Sequence, residues 1–294
     1  MNSQRKTILV FGATGQQGGA ATSNLLADGW HVRTVTRDPL SEAARALEHA
    51  GVQLFAGDMT DRSSLDAAMQ GAYGVFSVQP PVWEPGDAAT DQEILMGKNV
   101  ADAAKEAGVR HFVYASNSGA EQQARFRYFA KWEMEKYIKT LAFPATTILR
   151  PSGFMESYAS PFYGIQHGTL ADATDPVVPA KCIAVDDIGV FVALAFKDPD
   201  TFAGKTIELA GDALTPPRMA AAIARATGRP IEYVHVPIET VRQQNESLAR
   251  IYEWLNGDGY EVDFPALRNF HPGLMTFEAW LEKKGAALFE QRFR

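Results

Sequence analysis

The stretch Thr7-Ile8-Leu9-Val10-Phe11-Gly12-Ala13-Thr14-Gly15-Gln16-Gln17-Gly18-Gly19 decides how this chain is read. An apolar run over residues 8–11 enters a loop with glycine at positions 12, 15 and 18, and a helical pattern follows over 17–26. Between a first strand and a first helix, such a loop lets the backbone approach a pyrophosphate. The anion then rests on the helix N-terminal N–H groups and the positive end of the dipole. The spacing is G-x-x-G-x-x-G rather than the G-x-G-x-x-G of the standard fingerprint. A tight turn in which Gly18 serves only helix–sheet packing is the alternative. The position of the loop favours a dinucleotide, with Gly12, Thr14, Gly15, Gln16, Gln17 and Gly18 as candidate contacts.

Outward from this loop the pattern alternates. Strands are expected at 8–11, 32–36, 52–56, 73–78, 111–115 and 146–149, and helices at 17–26, 41–49, 63–69, 91–106 and 124–139. Most of the strands carry apolar residues without in/out alternation, as strands covered on both faces do. The fold class is therefore α/β, a doubly wound parallel sheet of Rossmann type. Beyond Pro151 the rhythm changes, and residues 151–181 are rich in Gly, Pro, Ser and Ala. A dinucleotide-binding domain over 1–155 and a smaller C-terminal α/β lobe over 156–294 are expected, with segments of about 182–210 returning to the sheet. In the lobe, strands are expected near 183, at 206–209 and near 231–236, and helices at 188–196, 218–226, 238–255 and 276–288.

Bulk properties narrow the function. The chain has 294 residues, 28 Lys+Arg and 35 Asp+Glu, and a net charge of −7. An acidic surface opposes direct nucleic-acid binding, which depends on displacing phosphate counterions. A single cysteine, Cys182, makes no internal disulfide, and this usage fits the reducing cytoplasm. No apolar run reaches the ~18 residues of a membrane span. The six histidines (31, 49, 111, 167, 235 and 271) are scattered without zinc-ligand spacing, so no metal site is expected.

The second strand ends in Val35-Thr36-Arg37-Asp38-Pro39. An acidic residue here reads a ribose 2′-hydroxyl, whereas arginine accommodates a 2′-phosphate. Arg37 lies close to the ~20-residue offset expected of this reader, and its planar guanidinium pairs well with phosphate. NADP(H) is favoured over NAD(H); the alternative is a solvated Arg37 with Asp38 on the ribose. After the third strand, Asp58 with Met59 either contacts adenine or serves as a turn or capping residue. Gln79 opens the Pro80-Pro81-Val82-Trp83 loop after the fourth strand, where it would stand beside the nicotinamide half. Phe154, Met155, Tyr158, Phe162 and Tyr163 form an apolar–aromatic cluster that is either lobe core or pocket lining, and Phe154 is a further candidate cofactor contact.

Together these motifs, with Val113-Tyr114-Ala115-Ser116, Lys131 and Glu133, and Leu149-Arg150-Pro151-Ser152-Gly153-Phe154-Met155-Glu156, resemble the NmrA-like group of atypical short-chain dehydrogenase/reductases. The resemblance covers about the first 160 residues. It implies NADP(H) in the crevice, Arg37 on phosphate and Lys131 near the nicotinamide ribose. Catalytic members of the wider superfamily use Tyr-x-x-x-Lys on one helix, with a serine that polarises the carbonyl. Here Arg127 stands four residues before Lys131. Arginine stays protonated and cannot act as donor and base. Tyr128, three residues before Lys131, is on a neighbouring helix face, and Ser116 occupies the serine position. Lys131, Tyr128 and Ser116 are the candidate catalytic residues.

Two functions fit. The first is an NADP(H)-binding redox sensor that works through a regulatory protein partner. The second is an NADPH-dependent reductase of a small-molecule acceptor, a quinone or conjugated carbonyl. The missing tyrosine favours the first; the aromatic cluster and the 80–83 loop favour the second. The chain is expected to be a monomer or homodimer.

Overall fold

The computed structural model describes residues 6–80, 87–126, 130–160 and 165–292. By its internal contacts the chain divides into two compact units. The first comprises Met1–Ala120, Tyr128–Arg150 and Ile188–Ile207; the second comprises Glu121–Arg127, Pro151–Asp187 and Glu208–Arg294.

The first unit opens with β1 (Thr7–Val10), α1 (Gln16–Ala27), β2 (His31–Thr36), α2 (Glu42–His49) and β3 (Gln53–Ala56). It continues with α3 (Asp66–Met69), β4 (Gly74–Ser77), α4 (Asp87–Glu106) and β5 (His111–Ala115). After α5 (Ala120–Gln123), which belongs to the second unit from Glu121 on, come α6 (Ala130–Thr140) and β6 (Ala145–Pro151). The sheet order is β3-β2-β1-β4-β5-β6-β11, where β11 is Thr206–Leu209. β1 pairs in parallel with both β2 and β4. Chain progression therefore reverses direction between β1 and β4, which makes the carboxyl ends of these strands the topological switch point.

Burial explains which residues became strands. Every residue of β4 and β5 is buried, while the edge strand β3 is half open. One face of the sheet packs Leu9, Phe11, Val75, Phe112 and Tyr114 against Val100 and Ala104 of α4 and Met134 and Ile138 of α6. On the other face, a Cβ on Gly189 would stand 2.5 Å from the Ala20 carbonyl carbon, so α7 (Val185–Lys197) lies against α1 at a separation only glycine permits. Next to β6 runs β11, and the carbonyl of Lys205 just before it accepts from Ile148 N–H at 2.9 Å.

The second unit holds β7 (Gly153–Phe154), β8 (Ile165–Gln166), β9 (Thr169–Asp172) and β10 (Ala180–Ile183). After α8 (Pro199–Phe202), which the first unit contains, follow β12 (Asp212–Leu214), α9 (Pro216–Thr227) and β13 (Glu232–His235). The remaining helices are α10 (Ile238–Gln244), α11 (Glu246–Asn256), α12 (Phe264–Phe270), α13 (Phe277–Trp280) and α14 (Ala286–Arg292). The strands form two three-stranded sheets, β12-β10-β7 and β13-β9-β8. Met155, Leu170, Ile223, Phe277 and Trp280 belong to this unit's core.

Three expectations about helices are corrected. The segment 238–255 is two helices, because Asn245 is extended and its side chain accepts from Leu248 N–H, capping α11. The segment 276–288 is interrupted by a wide π turn over Leu281–Gly285, where Gly285 passes under the Trp280 ring; a Cβ there would approach it to 2.7 Å. The expected helix 124–139 is a 3-10 turn over Ala124–Phe126, which follows α5, and then α6; residues 127–129 lie outside the described residues.

Candidate functional site

The glycine loop leaves β1 with Gly12 at φ +66°, a conformation that glycine adopts without strain, and Gly15 N–H donates to the Gly12 carbonyl at 2.8 Å. A Cβ on Gly18 would lie 2.1 Å from that same carbonyl oxygen, so the first turn of α1 sits directly on the loop backbone. No side chain caps α1 and no acidic residue occupies its first turn. Thr14, Gly15 and Gln16 are exposed. The helix end is thus open to an anion, and the close approach at Gly18 keeps side chains away from it. Two further polar atoms lack partners among the described residues: Gln17 Oε1 and Gln79 Oε1 are both buried. Gln79 stands just past β4 and donates through Nε2 to Ser77 Oγ at 2.9 Å. Loop, open helix end and orphaned carboxamide oxygens fit a dinucleotide at the switch point.

Arg37 is exposed and makes no ion pair among the described residues. Asp38 is committed locally: its Oδ1 accepts from Leu40 N–H at 2.9 Å, closing the turn before α2. Asp58 behaves similarly, its Oδ1 accepting from the N–H and the hydroxyl of Thr60, both at 2.8 Å. Met59 packs against the core, and its carbonyl accepts from Asn99 Nδ2.

Lys131, on α6, pairs with Glu93 of α4 at 2.9 Å, and its ammonium lies 5.4 Å from the centroid of the Tyr114 ring. Ser116 donates to Glu135 Oε1 at 2.6 Å. Glu135 is fully buried and forked by Arg150, whose Nε and Nη2 stand 2.8 and 2.7 Å from its two oxygens. Beside them the Tyr114 hydroxyl is buried without a partner among the described residues, and burial, then the charges of Glu93 and Glu135, push its pKa well up. This phenol stays protonated. Tyr128, Arg127 and the 81–83 part of the loop lie outside the described residues.

Glu93, Glu135 and Arg150 are not among the residues the sequence singles out for roles. Two of them carry a signal. Glu135 interrupts the buried stripe Ala130, Met134, Ile138 of α6, and Arg150 interrupts the apolar run of β6. Charges on two otherwise buried elements must find each other. Glu93 carries no such mark, because α4 alternates polar and apolar residues throughout.

In the second unit, Phe154 and Tyr158 line a cavity of about 310 Å³. Among the described residues there is no metal-ligating cluster, and no helix is long and apolar enough to cross a membrane.

A parallel sheet in the order 3-2-1-4-5-6, with a glycine loop at its switch point, defines a Rossmann-type protein. More narrowly, the chain belongs to the NmrA-like family, whose model matches residues 4–281. The NmrA-like oxidoreductase malD of Malbranchea aurantiaca is 28% identical over 302 residues, covering 90% of this chain and 89% of its own. The nitrogen metabolite repression protein nmrA of Emericella nidulans is 30% identical over 253 residues, covering 81% and 70%. The crystal structure of NmrA, a negative transcriptional regulator, in complex with NAD matches with a TM-score of 0.81 at 24% identity over 99% of each chain. NmrA in complex with NADP matches at 0.77, covering 98% of each chain. The family thus includes both regulators and oxidoreductases.

Proposed function

We propose that this chain binds NADP(H) and acts as a regulator that reports the NADPH/NADP+ balance to a protein partner. The observation that carries this reading is the engagement of both described candidate catalytic side chains by carboxylates: Lys131 by Glu93 and Ser116 by the Arg150-bound Glu135. Neither is presented as a free proton donor, and the sequence has Arg127 where a catalytic tyrosine would stand. The glycine loop, Gln79 and Lys131 would hold the dinucleotide, with Arg37 on its 2′-phosphate. The local commitment of Asp38 favours NADP(H) over NAD(H). Both dinucleotides occur with NmrA, so that preference rests on Arg37 and Asp38 of this chain.

A second reading, an NADPH-dependent reductase of quinones or conjugated carbonyls, is favoured by the cavity at Phe154 and Tyr158. The cofactor, when bound and reduced, supplies the hydride equivalent in that reading. NADPH consumption by the purified protein across a panel of quinones and enones, with Lys131→Ala alongside, separates the two. No turnover, with NADPH still raising the melting temperature, supports the regulator. Turnover well above background that falls in the variant makes the protein a reductase.

A further inference from the structure

The cavity of the second unit is lined by Phe154, Ser157, Tyr158, Leu170 and Asp172 together with short backbone segments. Its walls come from the turn after β7 and from β9. Strand alternation places Asp172 on the same face as Leu170, which belongs to the core. Asp172 is thus a carboxylate held at the edge of an apolar interior, and it is the charged residue among the described lining residues.

Its hydrogen bonds come from neutral donors. Oδ1 accepts from Thr174 N–H at 2.7 Å and Oδ2 from the Tyr252 hydroxyl at 3.0 Å. The hydroxyl of Tyr233 is taken up by the carbonyls of Asp172 and Thr174. No Lys, Arg or His pairs with Asp172 among the described residues; Lys181 instead lies over the Tyr260 ring, 4.8 Å from its centroid. Burial, with a contribution from the Asp172 charge, pushes up the pKa of the Tyr158, Tyr233 and Tyr252 hydroxyls, that of Tyr233 to about 12. These phenols remain neutral and supply no countercharge.

The cavity therefore combines a carboxylate that pairs with no cation among the described residues with the rings of Phe154 and Tyr158. An anion is repelled there, and a neutral guest leaves the carboxylate without a counterion. A cation meets the carboxylate beside two aromatic rings, a side-chain type that attracts positive charge. Each carboxylate oxygen already accepts one bond, which suits a cation that needs no acceptor of its own. We propose that this cavity is a binding site for an alkylated ammonium group. The cavity includes Phe154, a candidate cofactor contact, and is the one that favours the reductase reading; titration without dinucleotide tests it apart from both.

The test is titration of the full chain, without dinucleotide, with choline and with its uncharged isostere 3,3-dimethylbutan-1-ol, followed by ligand NMR. Saturable choline binding is expected, with the alcohol weaker by roughly tenfold or more. Asp172→Asn should reduce choline to the level of the alcohol while near-ultraviolet circular dichroism stays native. If that variant does not fold, Phe154→Leu serves, and should weaken choline while leaving the alcohol nearly unchanged. Equal affinity for the two probes, no saturable choline binding, or choline binding unaffected by whichever variant folds would each overturn the assignment.

Discussion

Lys131 Nζ stands 2.9 Å from Glu93 Oε1, across the packed pair of helices α6 and α4, with both side chains about one-fifth exposed (21% and 20%). The lysine that the family resemblance places at the nicotinamide ribose is therefore held by a carboxylate from another element. A partly buried pair of this kind couples its members energetically. Lys131→Met and Glu93→Gln should each cost about 1 kcal/mol of stability, and the double variant should cost less than their sum. Urea denaturation of the four proteins measures this, and strict additivity would show that the pair does not couple.

Arg37→Ala should weaken NADPH by roughly 10- to 100-fold, the value of a charge-assisted phosphate contact, while NADH changes little. Calorimetric titration with both dinucleotides measures the difference. Equal losses would remove the 2′-phosphate assignment.

Gly18→Ala places a methyl group 2.1 Å from the Gly12 carbonyl oxygen, a distance no relaxed backbone allows. Dinucleotide binding should be lost, because accommodating the methyl moves the loop away from the α1 N-terminus. Gly29→Ala, just past the C-terminal end of the same helix, is the comparison: a Cβ there would meet nothing within 4 Å, and its φ of +81° will cost some stability but should spare binding. Thermal shifts with NADPH distinguish the two.

Glu135 is fully buried, so removing Arg150 takes the counterion from its carboxylate. Arg150→Met should destabilise the fold by about 3–5 kcal/mol, whereas Arg150→Met combined with Glu135→Leu should recover much of the loss. The double variant also leaves Ser116 without its acceptor. If it consumes NADPH no differently from the parent, Ser116 has no role that depends on Glu135.

His111 lies inside the sheet, with Nε2 2.9 Å from Thr147 Oγ1, and Thr147 itself donates to the Phe202 carbonyl. Thr147 therefore accepts from His111, which leaves Nδ1 a buried acceptor without a partner among the described residues. Burial lowers this imidazole to about pH 4. The unfolded chain takes up the proton near pH 6.5 and the folded chain only near 4, so stability falls as pH drops through that window, by about 3 kcal/mol in total. Guanidinium unfolding at pH 7 and pH 4.5 should show a drop that is smaller in His111→Gln. An equal drop in both proteins would assign the effect to other groups.

The first six strands lay open in the sequence because a strand buried on both faces must be apolar throughout, and because glycine at 12, 15 and 18 marks where β1 turns into α1. The glycine spacing of the β1–α1 loop and the arginine at the end of β2 were legible too, since a close backbone approach and a strand-end charge are local features. The second unit was harder to read. β12 spans three residues and β7 and β8 two each, too short to carry a period, and α12 is a seven-residue helix marked locally only by its Asp263 cap and Pro265. Asn245 dividing α10 from α11 was a capping residue inside an otherwise continuous helical pattern.

The sequence by itself determined the parallel α/β plan, the loop and the absence of a tyrosine four residues before Lys131, all of which follow from residue type and spacing. Only the tertiary structure decided that Glu93 would hold Lys131, that Glu135 would join Ser116 to Arg150, and that Asp172 would line the cavity with no cation paired to it among the described residues. Ion pairing and desolvation depend on which side chains from distant segments are brought within a few ångströms, and no local pattern encodes that distance.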